Sequence, residues 1–415
     1  MWRALGLGLI TGAADDDCSA IGTYASAGAK FGVTILWTAP VTFPMMFAVV
    51  YLSSKLGQVT GEGLFAGIRR HYSPWFLYAV LAGVLAGNTF EAAADLGGMA
   101  AAIAIFVPVS TRWIVVAVAL AILALQFWGS YVLIRNIFRW LALSLLAYVG
   151  SAFLARPDWL ATLKGSVVPT IQFSGDFLSI LVAIIGTSLS AYLYTWQSNE
   201  EVEEQIAMGR RRLEERRGAT PQELKQARRD IWLGMFFSNL VMYFIILSTA
   251  ATLHKAGQTD IHTAAEAAKA LAPLAGDAAG MLFALGIIAV GFLAVPVMTT
   301  GAAYDLCQSF GWKQGLYTKP AEAKIFYAAI VVFSAIAMAV NFLGINPMKA
   351  LVWAGIVQGF STPPLMLLIL IMTNSRKMMG DKVNGLTINI LGGITTLAIF
   401  AASMGLVVSW FMKSG

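Results

Sequence analysis

The chain has 415 residues, 58% of them hydrophobic and 12% charged, with a mean hydropathy of +0.72 and a formal net charge of +6. A soluble domain is roughly 45–50% apolar, and about 20 apolar residues cross a bilayer as a helix. Runs of that kind recur along the whole chain, which excludes a string of soluble domains. Two cysteines, Cys18 and Cys307, leave no disulfide framework and no four-cysteine zinc site, and read as small apolar residues in helices. The basic residues collect between the apolar runs, where membrane topology explains them better than a nucleic-acid partner does.

Eleven spans follow in chain order, at about 4–30, 33–56, 75–105, 113–131, 134–154, 177–205, 231–252, 278–305, 325–343, 348–373 and 386–411. No cleavable signal peptide is expected, because "MWRALGLGLI" leads into the first span without a small-residue cleavage site. An odd number of spans puts the termini on opposite sides. The side of the N-terminus then receives 20 of the 28 lysines and arginines, which makes it cytoplasmic. The expectation is an all-α polytopic integral membrane protein of a prokaryotic inner membrane, N-terminus inside and C-terminus outside. Its surroundings are the lipid bilayer, and no obligatory protein partner is expected. The polar stretch 199–230 sets Glu and Arg at i,i+3 and i,i+4 spacing and reads as a helical cytoplasmic loop. Its acidic run, Glu200, Glu201, Glu203 and Glu204, either attracts cations leaving a pore or is a solvated helix end.

Two spans are interrupted. The first contains "TGAADDDCSAIG" and the sixth "IIGTSLSAY", residues 184–192. Glycines and small polar residues weaken a helix, and hydroxyls rebond the backbone groups freed at a break. Interrupted segments at equivalent places in two halves point to an inverted-repeat transporter with its site where the breaks meet. The halves are residues 4–155 and 176–375, with 385–411 an extra helix, all in one transmembrane domain; no residue-level repeat joins them. A charge at membrane depth costs roughly 2.5–3.5 kcal/mol on insertion scales, so Asp15, Asp16 and Asp17 need water or a cation. Carboxylates with freed carbonyls form a hard-oxygen donor set suited to Mg²⁺, Ca²⁺ or Mn²⁺. The alternative puts the three aspartates in a loop before the first true span.

With these motifs, "GLGLITGAADDDCSAIGTYASAGAKFG" and "GTSLSAYLYTWQS" included, the chain resembles the Nramp family of divalent metal transporters along nearly its whole length. The resemblance implies a LeuT-type 5+5 inverted repeat with broken helices one and six, plus an eleventh transmembrane helix. It puts Asp17 at the metal-binding aspartate and Ala14 at a carbonyl donor one turn earlier. Cys18, Ser19 and Ala20 take the places of proline, glycine and an asparagine ligand. In the sixth span Thr187 falls on a carbonyl donor, Ser190 on the family's methionine ligand, Ala191 on a proline and Tyr192 on a histidine. Asp95 lies on a family aspartate in span three. The acidic positions seven before and three after it are Asn88 and Gly98, and Glu91 is extra.

These departures shape the expected function. Losing the methionine removes a soft donor that favours late transition metals, and losing the asparagine opens space. Mg²⁺ keeps several waters when bound, so a roomier, harder site suits it. That pattern looks most like the Nramp-related magnesium transporter branch. The implied metal set is Asp17, Ala14, Thr187, Ser190 and Asp16, with Asp15 and Asp16 either holding the hydration shell or facing solvent. Ser19, Ala20, Tyr192 and Gln358 are candidate lining residues. Glu91 and Asp95, four apart on one helix face, either line a polar route or pair with a base such as Arg135 or Arg139. Tyrosine does not titrate near neutrality. Import of Mg²⁺ and also Mn²⁺ as a largely hydrated ion, without proton coupling, is therefore expected, the alternative being a proton-coupled Mn²⁺ or Fe²⁺ carrier. The cations are substrates and no cofactor is implied. An amino-acid site is disfavoured because Asp17 repels a carboxylate. An intramembrane aspartyl protease around Asp305 is disfavoured because the chain has no Gly-x-Gly-Asp partner, so no enzyme is expected. Pro363 and Pro364 are expected to kink span ten.

Overall fold

The computed structural model describes residues 7–128, 145–316 and 318–413, and every regular element among them is helical. Eight helical stretches of these residues are long and apolar enough to cross a bilayer. The first expected span is two short helices, α1 (Leu7–Asp15) and α2 (Cys18–Phe31). Next come α3 (Thr38–Thr60), the short α4 (Leu64–His71), α5 (Pro74–Ile103) and α6 (Thr111–Trp128). The fifth expected span is described only from residue 145, through α7 (Leu146–Leu154). Arg135 and Arg139 lie outside the described residues, and with them any pairing to Glu91 or Asp95. After the short α8 (Trp159–Val167), the sixth span is again two helices, α9 (Gly175–Ser188) and α10 (Ala191–Ala207). The remaining spans are α11 (Pro221–Thr249), α12 (Ala279–Phe310), α13 (Lys324–Val340), α14 (Pro347–Asn374) and α15 (Leu386–Lys413).

Local chemistry sets several boundaries. Ser73, Thr220 and Asn346 cap α5, α11 and α14, each with proline at the first helical position, where its missing N–H costs nothing. The Thr220–Glu223 capping box starts α11 ten residues before the apolar run begins. The expected loop helix over 199–230 is therefore divided. Its front belongs to α10 and its end to α11, with left-handed Gly209 (φ 96°) and Gly218 (φ 83°) between them. Only a four-residue helix, Leu213–Arg216, is separate.

Among the described residues, cross-contacts between connections join alternate ones along the chain. At one end Lys30 lies 3.0 Å from Asp176 and 3.7 Å from Asp260, and Asn346 donates to the His262 carbonyl. At the other, Lys55 Nζ donates to Asn384 at 3.0 Å and Arg216 to the Gly61 carbonyl at 3.1 Å.

Glycines allow the broken spans to lie against their neighbours. A Cβ on Gly12 of α1 would fall on the Gly234 carbonyl of α11, and one on Gly186 of α9 would fall on Gly355 and Gly359 of α14. Without a hydrophobic drive between helices in lipid, such backbone approach supplies much of the association. The prolines of α14 leave it continuous. Pro363 has no N–H for the Gly359 carbonyl four residues back, and Ser403 of α15 donates to that carbonyl instead, at 2.9 Å. Gly186→Ala is expected to destabilise the protein by about 1–3 kcal/mol through overpacking, read as a lower midpoint in detergent-solubilised thermal unfolding. An unchanged midpoint would contradict this packing account.

Candidate functional site

The two interruptions fall at Asp16–Asp17 and at Leu189–Ser190, and they meet. Each break frees backbone groups, and side chains take up many of them. Asp17 is the N-cap of α2 and accepts from Ala20 N at 2.7 Å. Ser19 N donates to Asp95 Oδ1 of α5 at 3.0 Å, and Ala191 N to Gln358 Oε1 of α14 at 3.2 Å. Helix N-termini favour negative or acceptor groups, so α2 holds Asp17 and Asp95 while α10 holds Gln358. On the carbonyl side, Ser190 Oγ reaches Gly186 O at 3.0 Å and Thr187 O at 3.1 Å. The Leu189 carbonyl accepts from Thr362 and Tyr194.

Between these ends lies a network of oxygens. Ser19 Oγ is 2.8 Å from Asp17 Oδ1, 3.0 Å from Glu91 Oε1 and 3.0 Å from Thr187 Oγ1. Ser190 Oγ is 3.2 Å from Glu91 Oε1, whose other oxygen accepts from Gln358 Nε2 at 2.6 Å. Tyr192 OH lies 2.8 Å from the Ala14 carbonyl and 3.0 Å from Asp17 Oδ2. It thus stands between the two donors that the resemblance assigns to the metal. Ala20 contributes its N–H and no side-chain donor. Asp17, Ser19, Glu91, Asp95, Thr187, Ser190, Tyr192 and Gln358 all have zero exposure.

Acceptors outnumber protons here. The single Ser19 proton faces two carboxylates, and Asp95 Oδ2 has no hydrogen-bond partner among the described residues. Among the described residues no lysine or arginine forms an ion pair with Asp17, Glu91 or Asp95. A buried surplus of acceptors favours a cation. The donors are carboxylate, hydroxyl, amide and carbonyl oxygens, the hard set that suits Mg²⁺, Ca²⁺ or Mn²⁺. Cys18, the nearest sulfur in sequence, turns to the Ile287 carbonyl of α12. No group of three His, Cys, Asp or Glu side chains among the described residues is disposed as a ready metal cage. Neutral oxygens and water would therefore complete a coordination shell.

The sequence-based set divides. Asp17, Ala14, Ser19, Thr187, Ser190, Tyr192 and Gln358 come together, and Glu91 and Asp95 join them as direct members. Asp15 and Asp16 bond elsewhere: Ser238 Oγ of α11 donates to Asp15 Oδ2 at 2.6 Å and lies 3.3 Å from Asp16 Oδ1. Ser238 was not singled out by sequence, because one serine in an apolar helix usually bonds its own backbone. Asn88, read only as a lost acid, lies 3.3 Å from Gln358 Nε2.

Known proteins resemble this chain at both levels. The "Divalent metal cation transporter MntH" of Klebsiella pneumoniae (strain 342) is 27% identical over 396 residues, covering 93% of this chain and 89% of the relative. Among solved structures, a manganese transporter of Eremococcus coleocola, crystallised with an aromatic bis-isothiourea substituted compound, superposes with a TM-score of 0.71. It is 17% identical and covers 98% of this chain and 87% of that one. Mhp1, a nucleobase-cation-symport-1 family transporter, superposes at 0.56 with 13% identity, covering 98% and 92%. The family model described as natural resistance-associated macrophage protein-like, Nramp, matches residues 8–409, and the chain belongs to that family.

Proposed function

We propose that this integral membrane protein carries divalent cations by alternating access around the two breaks, importing Mg²⁺, and Mn²⁺ as well, as a largely hydrated ion. The carrying observation is the all-oxygen, acceptor-rich cluster of Asp17, Ser19, Glu91, Thr187 and Ser190 at zero exposure. Divalent-cation transport as such is also what the relatives' names state of those proteins. The choice of Mg²⁺ rests on what the cluster lacks. Ser190 is a hydroxyl where a soft thioether would favour later metals, and Ala20 brings no side-chain ligand. The lack of proton coupling rests on Tyr192, a phenol where an imidazole would titrate near neutral pH.

The same reading takes residues 4–155 and 176–375 as two inverted repeats, with 385–411 as an eleventh helix, in a prokaryotic inner membrane with the N-terminus cytoplasmic. The membrane potential contributes about 2.3 kcal/mol per charge per 100 mV, doubled for a divalent ion, so inward flux needs no proton. One observation favours the proton-coupled Mn²⁺ or Fe²⁺ alternative: Glu91 and Asp95 are carboxylates bonded directly to the break.

Uptake into proteoliposomes separates the readings. Mg²⁺ flux is expected with no lumenal acidification in step with it, and Asp17→Ala is expected to reduce flux to that of empty vesicles. That variant loses a cap worth about 1 kcal/mol but also sheds a buried ion whose desolvation costs several, so it stays folded. Strong Cd²⁺ transport without Mg²⁺ flux, or acidification in proportion to uptake, would defeat the Mg²⁺ or the uncoupled reading respectively. Ser190→Met adds a soft donor and is expected to raise preference for Cd²⁺ over Mg²⁺ by about tenfold, measured by competition. An unchanged ratio would remove Ser190 from the selectivity argument.

A further inference from the structure

Of the acidic run after the second break only Glu204 is exposed, as a solvated helix end would be; the other three are not. Glu200, Glu201 and Glu203 are only 4%, 6% and 5% exposed. On one face of α10, Gln197, Glu201 and Gln205 recur every four residues and face α3. Glu201 Oε1 accepts from Ser54 at 2.5 Å and from Gln197 at 2.8 Å, and its Oε2 accepts from Gln58 Nε2 at 2.8 Å. Gln205 Nε2 donates to the Gln58 main-chain carbonyl at 3.3 Å.

These bonds fix both amides. Each Nε2 must face its acceptor, which leaves Gln58 Oε1 and Gln205 Oε1 without a hydrogen-bond partner among the described residues, although the residues are only 7% and 6% exposed. Gln58, Glu201 and Gln205 all line one cavity of about 590 Å³ between α10, α3 and the start of α11. Its outer wall is mixed. Lys225 and Arg229 stand there with Glu204, Asp230 and Glu223, and Glu223 is engaged by Arg210 at 2.7 Å. The inner wall has two amide oxygens with no donor, beside a carboxylate that accepts only from neutral groups and forms no ion pair among the described residues; together they are a hard-cation donor set.

The cavity also has a line to the break. Gln197 Oε1 accepts from Thr11 Oγ1 of α1 at 2.6 Å. Glu201 lies eleven residues past Ser190, about 16 Å along the helix at 1.5 Å per residue. Movement of α1 away from α10 would free Gln197 and join the two places.

We propose that Gln58, Glu201 and Gln205 form a second, weaker site for a hydrated divalent cation on the N-terminal side of the membrane. There the ion pauses on leaving the break; this rests on the break being the principal cation site. Mn²⁺ binding to the full-length, detergent-solubilised chain, followed by loss of the free-ion paramagnetic resonance signal, tests it. The unsubstituted chain is expected to bind two Mn²⁺ ions, and Asp17→Ala to keep the weaker one. Adding Glu201→Gln to that variant is expected to weaken the remaining ion by at least about tenfold, since ligand charge sets affinity at such sites. Gln205→Met, which keeps Glu201 and its partners, is expected to weaken it in the same background, with elution as a monodisperse species confirming the fold. No Mn²⁺ bound to Asp17→Ala, or the same affinity after Glu201→Gln or Gln205→Met, overturns the proposal. The two readings fail separately: two ions still bound to Asp17→Ala would sink the break, whereas none bound to it, or an ion indifferent to Glu201→Gln or Gln205→Met, would sink the cavity.

Discussion

Breaking a helix inside a membrane frees N–H and C=O groups that lipid cannot satisfy, and each one left alone costs several kcal/mol. The rest of this structure answers that constraint. Asp95 reaches across from α5 to hold Ser19 N, Gln358 from α14 to hold Ala191 N, and Tyr192 from α10 to hold the Ala14 carbonyl. Thr362 takes the Leu189 carbonyl. Because Tyr192 ties the second break to the first and Glu91 of α5 bonds Ser19 of one and Ser190 of the other, neither can move without exchanging bonds with the other and with α5. That coupling is what an alternating-access site needs: a bistable element whose two arrangements an ion can bias.

The same bonds explain the electrostatics. α2 and α10 begin at the site and α1 and α9 end there, so N–H groups face the carboxylates while carbonyls remain for a cation. Glu91 joins the two breaks, reaching Ser19 of the first, Ser190 of the second and Gln358 of α14. Tyr192 bonds both Ala14 O and Asp17, so under the proposed assignment an ion held there would have to replace that hydroxyl or coordinate beside it. A water-clad ion can do the latter through its own waters.

Much of this was legible in the sequence. The breaks announced themselves, the first by three aspartates among apolar residues and the second by Gly186, Thr187, Ser188 and Ser190 in a span that should be purely apolar. Glu91 and Asp95 were readable as one helix face, since four-residue spacing guarantees it. Their destination was not, because spacing fixes a face and says nothing of what it meets. The three aspartates looked equivalent and are not: one peptide of extended backbone at Asp17 turns it to Tyr192, while Asp15 and Asp16 face Ser238. The run from Glu200 to Glu204 left two readings open for the same reason. Local pattern predicts solvent, whereas Ser54 and Gln58, more than 140 positions earlier, supply the bonds that bury Glu201. The early start of α11 at Pro221 was written in its capping box, outside the apolar run from which the span was delimited.

Where the ion sits is the claim on which the rest depends. Anomalous diffraction from crystals grown with Mn²⁺ measures it directly. The strongest anomalous peak is expected among Asp17, Ser19, Thr187 and Ser190, with solvent oxygens completing the ion's shell. A strongest peak at Asp15, Asp16 and Ser238, with none at the meeting of the two breaks, would contradict it.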